Sequence, residues 1–362
     1  MEALGHERPL LLGVAPVARG NPYQALLYHS FAEEGIATVA LNRAQSFTAL
    51  GDLAGDHPVV AHLHWLSFVL GSATDPRDAA QTLRRFETDV DEFLASGGRL
   101  VWTVHNRLPH DARFVDLEVE LRNLVSARAD VVHVMSRATP AAVADTVSID
   151  PAKVVLAPHP SYTTSYPSYV TRVEARRVLG IEPDEVVYVL FGAVKPYKGL
   201  ERLLPALDAL RARGVPARLL IAGQADDTDV TRAFVERCLV HPHVLVNDKR
   251  VPTEHAQYYL RAADVGLAPY ERVLNSGAAM LYATFGLPVV VPDQPTVREP
   301  LLDEGHVAFA SGDTGSLVAA MERAAEIASG ELSASIAEHV GQFDPEHVSR
   351  ALARELRGRL SS

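Results

Sequence analysis

The stretch Val186–Leu200, VVYVLFGAVKPYKGL, decides the fold of the second half of this chain. Its first six residues form a short apolar run without strict alternation, which is typical of a parallel strand buried on both faces. Gly192 then allows a close turn, and Leu200 opens a segment with helical spacing. The stretch therefore predicts a strand, a tight loop and a helix, the repeating unit of a parallel α/β sheet.

The same alternation of apolar runs and amphipathic segments extends through the whole chain. The other predicted strands are Leu10–Ala15, Ala37–Leu41, Val59–Leu63, Leu100–Val104, Val131–Met135, Val154–Ala157, Ala217–Ala222, Val244–Val246, Val265–Ala268, Val289–Val291 and Val307–Ala310. Helices are predicted to begin at Asn21-Pro22 and at Asp75-Pro76. Further helices are predicted over residues near 199–213, 228–239, 253–262, 276–285, 314–328, 332–341 and 345–360.

A polar, proline-bounded segment without periodicity, His159–Pro167, separates the two series of strands. The sequence therefore predicts two doubly wound Rossmann-like α/β domains, residues 1–160 and 161–344, followed by a terminal helix within residues 345–362. Ligands of such sheets bind beyond the carboxyl ends of the strands. We expect the functional residues in the loops that follow strands.

Composition narrows the class of protein. The chain has 362 residues, 48% of them hydrophobic, which suits two buried cores. Asp and Glu number 45 against 34 Lys and Arg, and the net charge of −11 argues against nucleic-acid binding, which needs clustered cations. The single cysteine, Cys238, is expected to be a small hydrophobic residue on a helix. Because one cysteine cannot form an internal disulfide, the sequence predicts a cytoplasmic protein. No signal peptide or membrane-spanning run is predicted, and peripheral membrane contact stays open.

The first candidate site is the loop that contains Gly192, Lys195 and Lys198. It follows a predicted strand and opens a helix, whose N-terminal N–H groups carry a partial positive charge. Two lysines beside such a helix start suit a diphosphate, although taken alone two loop lysines are more often simply solvated. The loop matches neither the P-loop pattern nor the dinucleotide-binding glycine pattern.

The second candidate site is Asn275-Ser276-Gly277, after the predicted strand that ends near Ala268. Asn275 or Ser276 is a suitable helix N-cap, and Gly277 leaves the backbone amides exposed. A capping role alone explains these residues equally well. Two helix starts at the carboxyl edge of one sheet nevertheless favour an anion site over either feature alone.

The third candidate site follows a strand of the first half and contains His105, Asn106 and His110. A histidine at the carboxyl end of a strand is placed for acid–base chemistry or for orienting a substrate hydroxyl. His62 and His64 alternate on another strand and so share one face. With no further cluster of metal ligands we interpret these two as polar residues at a strand end, and we predict no metal site.

Together these segments resemble the retaining bacterial glycosyltransferases of family 4 and their relatives, which share the GT-B fold of two Rossmann-like domains facing across a cleft. The resemblance covers most of the chain. The segments that carry it are Arg19–Tyr23, His62–Trp65, Thr103–Asn106, Gly192–Gly199, Ile221–Gly223, Ala262–Val265, Pro269-Tyr270, Ser276-Gly277 and Phe285–Val290.

The resemblance implies roles for these residues. Lys195 and Lys198 would grip the diphosphate of a nucleotide-sugar donor, together with Gly192 and the amides at Asn275, Ser276 and Gly277. His105 would lie near the transferred sugar, and His105 and Lys198 would be the catalytic residues. The terminal helix would pack on the N-terminal domain. The acceptor or sugar contacts implied are Arg19, Gly20, Asn21, Asn106, His110 and Glu271.

One feature departs from the family pattern. Many members carry two glutamates eight positions apart, which here would fall at Val273 and Leu281. Neither residue is acidic, and Glu271 is only a loose substitute for the first. A contact to a sugar hydroxyl or to the ribose must therefore be made by other groups or be missing.

The function that we expect is transfer of a hexose from a nucleoside diphosphate sugar to a hydroxyl of a glycan, a lipid-linked sugar or a small molecule. The lysines and helix N-termini would replace a cation, so neither a metal nor a resident cofactor is expected. Two alternatives stay open. One is a sugar-nucleotide epimerase of the same fold, and the other is a non-catalytic relative or nucleotide-sugar-binding subunit.

Overall fold

A computed structural model describes residues 8–18, 20–41, 47–271 and 273–360. The chain divides into two compact units, one of Met1–Pro160 with Pro345–Ser362 and one of Ser161–Asp344. Each unit holds a six-stranded parallel sheet flanked by helices. The predicted fold class, two doubly wound α/β sheets, is confirmed.

The N-terminal unit is built on a sheet with strand order β2-β1-β3-β4-β5-β6. Its strands are β1 (Leu10–Ala15), β2 (Ile36–Ala40), β3 (Val59–Leu63), β4 (Arg99–Thr103), β5 (Val131–Val134) and β6 (Val154–Leu156). Its first six helices are α1 (Tyr23–Leu27), α2 (Phe47–Ala54), α3 (Ser67–Leu70), α4 (Pro76–Ala95), α5 (Val115–Arg128) and α6 (Thr139–Val143). A short 3₁₀ turn, Pro151–Lys153, precedes β6.

The C-terminal unit is built on a sheet with strand order β12-β11-β10-β7-β8-β9. Its strands are β7 (Val186–Phe191), β8 (Ala217–Ala222), β9 (Val244–Asn247), β10 (Val265–Leu267), β11 (Val289–Pro292) and β12 (His306–Phe309). Its helices are α7 (Arg172–Leu179), α8 (Leu200–Ala212), α9 (Asp229–Leu239), α10 (Thr253–Ala262), α11 (Gly277–Thr284), α12 (Pro295–Arg298), α13 (Thr314–Ile327) and α14 (Gly330–Gly341), with 3₁₀ turns at Pro196–Lys198 and Asp303–Gly305.

The strand orders indicate where along the edge of each sheet a ligand can bind. In the C-terminal unit β7 pairs with β8 on one side and with β10 on the other. In the N-terminal unit β1 similarly lies between β2 and β3. Loops that leave neighbouring strands in opposite directions open a crevice at the carboxyl edge. The loops after β7 and β10, and those after β1 and β3, are therefore the positions to inspect for a site.

The last helix, α15 (Pro345–Leu360), packs in the N-terminal unit although it follows the C-terminal unit in sequence. Its apolar stripe is buried, at Val348, Leu352, Leu356 and Leu360. The buried Ser349 hydroxyl accepts a hydrogen bond from the Ser30 N–H at 2.9 Å, and Arg350 pairs with Glu34 at 3.1 Å. The helix thus closes the core of the unit that contains the chain's first residues.

Local capping signals explain several element bounds. Asp75 caps α4 as predicted, accepting from the N–H groups of Arg77 and Asp78. Asn21 accepts the N–H of Tyr23, so the side-chain contact at the start of α1 comes from the residue before the proline. Cys238 is buried within α9, as expected for a small hydrophobe. Among the described residues, no helix combines the length and apolarity needed to cross a membrane.

We predict that Leu352→Ala lowers the free energy of unfolding by about 2 to 5 kcal/mol, because Leu352 is 1% exposed and its loss leaves a cavity under α15. Urea unfolding followed by circular dichroism measures the change. Glu355→Ala, on the same helix, removes only an exposed i,i+4 pair with Arg359 and is the control, expected within about 0.5 kcal/mol of the parent. Equal losses in the two variants would contradict the packing described.

Candidate functional site

The loop after β7 is fixed by contacts with two neighbouring loops of the same sheet edge. Gly199 has a φ of +69°, and a Cβ placed on it would lie 2.2 Å from the carbonyl oxygen of Pro269 in the loop after β10. A Cβ on Gly223, in the loop after β8, would lie 2.1 Å from the carbonyl oxygen of Gly192. Only glycine permits such approaches, so the loops after β7, β8 and β10 converge at one place.

Lys198 is a buried lysine at the place where these three loops meet. It is 5% exposed, and its ammonium lies beside Gly192, 3.6 Å from where a Cβ on that glycine would stand. The same nitrogen lies 5.9 Å from the centre of the Tyr270 ring. Burial and the charge of Lys195 lower the pKa of Lys198 to about 8. The charged neighbour that acts on this buried cation is thus another cation, which is an environment that an anion would stabilise.

The start of helix α11 lies on the same sheet edge. The hydroxyl of Ser276 accepts the N–H of Ala279 at 3.1 Å, which identifies Ser276 rather than Asn275 as the N-cap. The hydroxyl of Tyr282, on α11, accepts the N–H of Phe191 at 2.8 Å, at the end of β7. Helix α11 is thereby held against the end of the strand that leads into the lysine loop, with Gly277 in its first turn.

The remaining residues predicted for this unit lie in different environments. Lys195 is exposed and precedes the 3₁₀ turn, where its carbonyl accepts the N–H of Lys198 at 3.0 Å. The carboxylate of Glu271 pairs with the guanidinium of Arg202. Val273 is partly exposed, whereas Leu281 is buried in α11. Glu271 therefore already has a cationic partner, and the two positions of the missing glutamates are apolar.

His105 is the centre of an aromatic cluster in the N-terminal unit. Its ring stacks on Trp65, with centroids 4.0 Å apart and planes 17° apart. Tyr23 contacts it edge-on at 5.1 Å, and His64 Nδ1 lies 2.8 Å from His105 Nε2. Burial, followed by the nearby His133, His62 and His159, lowers the pKa of His105 well below its usual value. The ring is thus held in place and neutral at pH 7.

The other residues predicted in this unit contribute less. Asn106 is partly exposed and His110 is exposed. Gly20 is exposed, with no atom within 4 Å of a Cβ placed on it, and Asn21 is used to hold the start of α1. Arg19 lies outside the described residues.

Sequence analysis missed the residues that hold these loops. The side chain of Gln24 accepts the N–H of Ala18 at 2.8 Å and donates to the carbonyl of Pro16 at 2.9 Å, which fixes the loop after β1. Tyr23 is also part of the cluster around His105. The only sequence signal for this role is that Tyr23 lies in a predicted helix that follows a strand. His62 and His64 lie at the end of β3, as the sequence indicates, and both are buried. Sequence analysis did not foresee their burial, because their hydrogen-bond partners Tyr28, Thr103 and His105 are distant in the chain.

We predict that Gly199→Ala distorts the lysine loop. Besides the strain of a positive φ, about 1 to 2 kcal/mol, the new Cβ would collide with the Pro269 carbonyl. The free energy of unfolding should fall by more than that strain alone, and urea unfolding measures it. Gly214→Ala is the matched control, since Gly214 also has a positive φ, +86°, but no atom lies within 4 Å of its added Cβ. A loss at Gly199 no greater than at Gly214 would refute the close approach.

Comparisons of sequence show what part of the C-terminal unit is similar to. Residues 185–326 match the model of the family described as Glycosyl transferases group 1. The chain is 29% identical over 203 residues to a D-inositol 3-phosphate glycosyltransferase of Segniliparus rotundus, covering 52% of this chain and 43% of that protein. It is 30% identical over 224 residues to the enzyme of the same name from Rhodococcus erythropolis, covering 58% and 49%. The chain thus spans less than half the length of each of these relatives.

Solved structures resemble the whole chain. The HepE protein of Anabaena in complex with UDP-glucose gives a TM-score of 0.72 at 13% identity, covering 96% of this chain and 99% of that one. Sucrose-phosphate synthase of Thermosynechococcus elongatus gives 0.71 at 15% identity, covering 98% and 100%. At these identities the likeness shows the fold alone. The resemblance predicted from the sequence is confirmed: the chain has the GT-B fold, and its C-terminal unit matches the group 1 glycosyl transferases.

Proposed function

We propose that this protein is a glycosyltransferase that moves a hexose from a nucleoside diphosphate sugar to a hydroxyl group. The observation that carries the proposal is the buried ammonium of Lys198, which lies beside Gly192 with another cation, Lys195, as the charged neighbour that shifts its pKa. The amides at Ser276 and Gly277 open a helix on the same sheet edge. A diphosphate supplies the charge that this arrangement is suited to bind.

UDP is the donor nucleotide to test first. The HepE protein, which has the same fold, is described in complex with UDP-glucose and with UDP. The two curated relatives are named for an inositol phosphate acceptor, and they match only part of this chain. We therefore propose a nucleoside diphosphate hexose as donor and define the acceptor only by the hydroxyl that the reaction needs, on a glycan, a lipid-linked sugar or a small molecule.

In the proposed reaction the bond from the anomeric carbon to the β-phosphate oxygen breaks, and a bond from that carbon to the acceptor oxygen forms. Negative charge grows on the departing diphosphate, where Lys198, Lys195 and the N–H groups at the start of α11 would stabilise it. Preorganised charge of this kind is commonly the largest catalytic contribution, and it requires neither a metal nor a resident cofactor in this proposal.

We assign to His105 the orientation of the donor sugar or the acceptance of the proton that leaves the acceptor hydroxyl. A neutral imidazole, held by the Trp65 stack and the His64 hydrogen bond, is suited to either role. The loop residues Gly20, Asn21, Asn106 and His110, with Arg19, are proposed acceptor or sugar contacts. We propose a cytoplasmic location and no nucleic-acid partner, from the single cysteine and the net charge of −11.

One observation favours a second candidate, a relative that binds a nucleotide sugar without turnover. The positions where the family pattern calls for glutamates hold Val273 and Leu281, and the nearby Glu271 is paired with Arg202. A donor-hydrolysis assay separates the candidates, because a transferase releases UDP slowly from UDP-sugar even with water as acceptor. UDP-sugar binding without any UDP release, with or without added acceptors, would favour the non-catalytic candidate.

We predict that Lys198→Met weakens UDP binding by about tenfold to a hundredfold, the worth of one hydrogen bond to a charged group. The same change should raise the free energy of unfolding of the ligand-free protein by about 1 to 3 kcal/mol. The reason is that a pKa lowered from 10.5 to about 8 reports that the folded state disfavours this charge, at about 1.4 kcal/mol per pKa unit. Titration calorimetry and urea unfolding measure the two effects.

Arg323→Ala is the control for Lys198→Met, since it removes one positive charge from an exposed pair with Glu326 on α13 of the same unit. It should change neither UDP affinity nor stability appreciably. Undiminished UDP binding by a folded Lys198→Met protein would overturn the assignment of the donor site.

We also predict that UDP affinity falls as the pH rises from 8 to 9.5. The ammonium of Lys198 has a pKa of about 8 in the ligand-free protein, and a bound diphosphate raises that pKa by stabilising the charged form. Binding above pH 8 therefore requires uptake of a proton, and affinity drops by up to about tenfold per pH unit. Calorimetry over this range should show the slope in the parent and not in Lys198→Met; an equal slope in both would assign it to another group.

A further inference from the structure

The hydrogen bond from His105 to His64 is the end of a longer chain of polar groups inside the N-terminal unit. We call this chain the histidine relay. It begins at the backbone carbonyl of Ala157, just after β6, and crosses the sheet to the end of β4. Its side chains, in order from that carbonyl, are His133, Thr103, His62, Tyr28, His64 and His105.

Every link of the relay lies within hydrogen-bonding distance. His133 Nε2 lies 2.9 Å from the Ala157 oxygen, and His133 Nδ1 lies 2.9 Å from Thr103 Oγ1. Thr103 Oγ1 is 2.7 Å from His62 Nε2, and His62 Nδ1 is 2.8 Å from the Tyr28 hydroxyl. These bonds engage both ring nitrogens of His133 and of His62.

The last two links reach the candidate site. The Tyr28 hydroxyl lies 2.5 Å from His64 Nε2, and His64 Nδ1 lies 2.8 Å from His105 Nε2. His62, His64 and His133 are each at most 1% exposed. Burial, and for His62 and His64 also neighbouring histidines, lowers their pKa values, that of His133 to about 4. All three rings are therefore neutral at pH 7, with one donor and one acceptor nitrogen each.

The backbone carbonyl fixes the first proton. A carbonyl oxygen only accepts, so His133 must donate from Nε2, and its Nδ1 is then the acceptor. Thr103 must use its single proton to donate to that Nδ1. Its oxygen can then only accept in the next link, so His62 must donate from Nε2.

The same reasoning carries through to the site. His62 Nδ1 is an acceptor, so the Tyr28 hydroxyl donates to it and accepts from His64 Nε2. His64 Nδ1 is then an acceptor, so His105 must donate from Nε2. In the neutral ring of His105 the lone pair therefore lies on Nδ1.

We propose that the histidine relay fixes the tautomer of His105, protonated at Nε2 and with Nδ1 as the acceptor nitrogen. Tyr28, Thr103 and His133 are then positioning residues that act on His105 without contacting substrate. The arrangement is a lock and not a path for protons, because its far end is a carbonyl oxygen that cannot take up a proton at neutral pH. The tautomer assignment stands by itself, and its catalytic meaning rests on the proposed function, in which Nδ1 would be the nitrogen that accepts the acceptor's proton or a sugar hydroxyl's hydrogen bond.

The test is nitrogen NMR of the full chain labelled with ¹⁵N-histidine, which separates protonated from unprotonated ring nitrogens. We expect the Nε2-protonated form for His62, His64, His105 and His133. His159 is the internal contrast, since its Nδ1 donates to the Pro160 carbonyl at 2.7 Å and must carry the proton. The Nε2-protonated form is also the commoner one for unconstrained imidazoles, so the decisive result is the change in variants.

The histidine relay predicts a different set of histidine tautomers for each variant that interrupts it. In Tyr28→Phe the Nε2 proton of His64 loses its acceptor, which favours the other tautomer of His64 and, through it, of His105. His62 and His133, on the carbonyl side of the break, should keep theirs. In Thr103→Val the change should also include His62, leaving only His133 as in the parent. Because an unsatisfied buried donor costs about 1 to 3 kcal/mol, the tautomer ratio of His105 should shift by at least about fivefold in both variants.

Tyr188→Phe is the matched control, since it removes a buried tyrosine hydroxyl, bonded to the Met321 carbonyl, from the other unit. It should leave every ring of the relay as in the parent. A His105 ring that keeps its parent tautomer in both Tyr28→Phe and Thr103→Val would overturn the proposal, and so would a parent protein with Nδ1 of His105 protonated, which needs no variant to fold. UDP binding is measured separately, so the relay and the proposed function can fail independently.

Discussion

The parallel pairing of β7 with β8 on one side and β10 on the other is the constraint on which the candidate donor site depends. It sends the loops after β7 and β10 from adjacent strands at one edge of the sheet. Those loops then approach so closely that Gly199 stands against the carbonyl of Pro269. The same edge receives the start of α11, held to the end of β7 by the Tyr282 hydroxyl. Lys198 is buried because these three segments meet.

The two units treat buried polar groups in opposite ways. In the C-terminal unit Lys198 is buried near another lysine, an arrangement that lowers the pKa of its ammonium and that a polyanion would stabilise. In the N-terminal unit the buried histidines are neutral and bonded to one another, to hydroxyls and to a carbonyl. A fully hydrogen-bonded polar network makes a core rigid. A buried charge without an opposite charge nearby is stabilised when a ligand of opposite charge binds. The contrast fits a binding role for the first group and a positioning role for the second.

The same loops show what occupies the positions where the family pattern has glutamates. Leu281 is buried within α11, where a carboxylate would be costly without a hydrogen-bonding or cationic partner. Glu271 is bonded to Arg202 of α8 and so helps to join the loop after β10 to the helix after the lysine loop. The acidic residue nearest to the family position therefore joins the loop after β10 to helix α8 in this chain.

Sequence alone determined the strands, the longer helices of the C-terminal unit and the fold class. Short apolar runs such as Val186–Phe191, with caps such as Asp75 and Ser276, are local signals, and the predicted strands and the helices given ranges lie within about two residues of their expected bounds. The sequence analysis did not predict α2, α3, α5, α6, α7 and α12. It also indicated Lys198 and His105 as candidate site residues, because a loop that follows a parallel strand lies at the ligand-binding edge wherever the strand sits in the sheet. Tertiary structure alone decided that Lys198 is buried and that His62 and His64 belong to a relay. Burial and hydrogen bonding across β3, β4 and β5 depend on residues some 30 to 40 positions apart in the chain, as in the bonds from Thr103 to His62 and His133, and no local pattern encodes such distances.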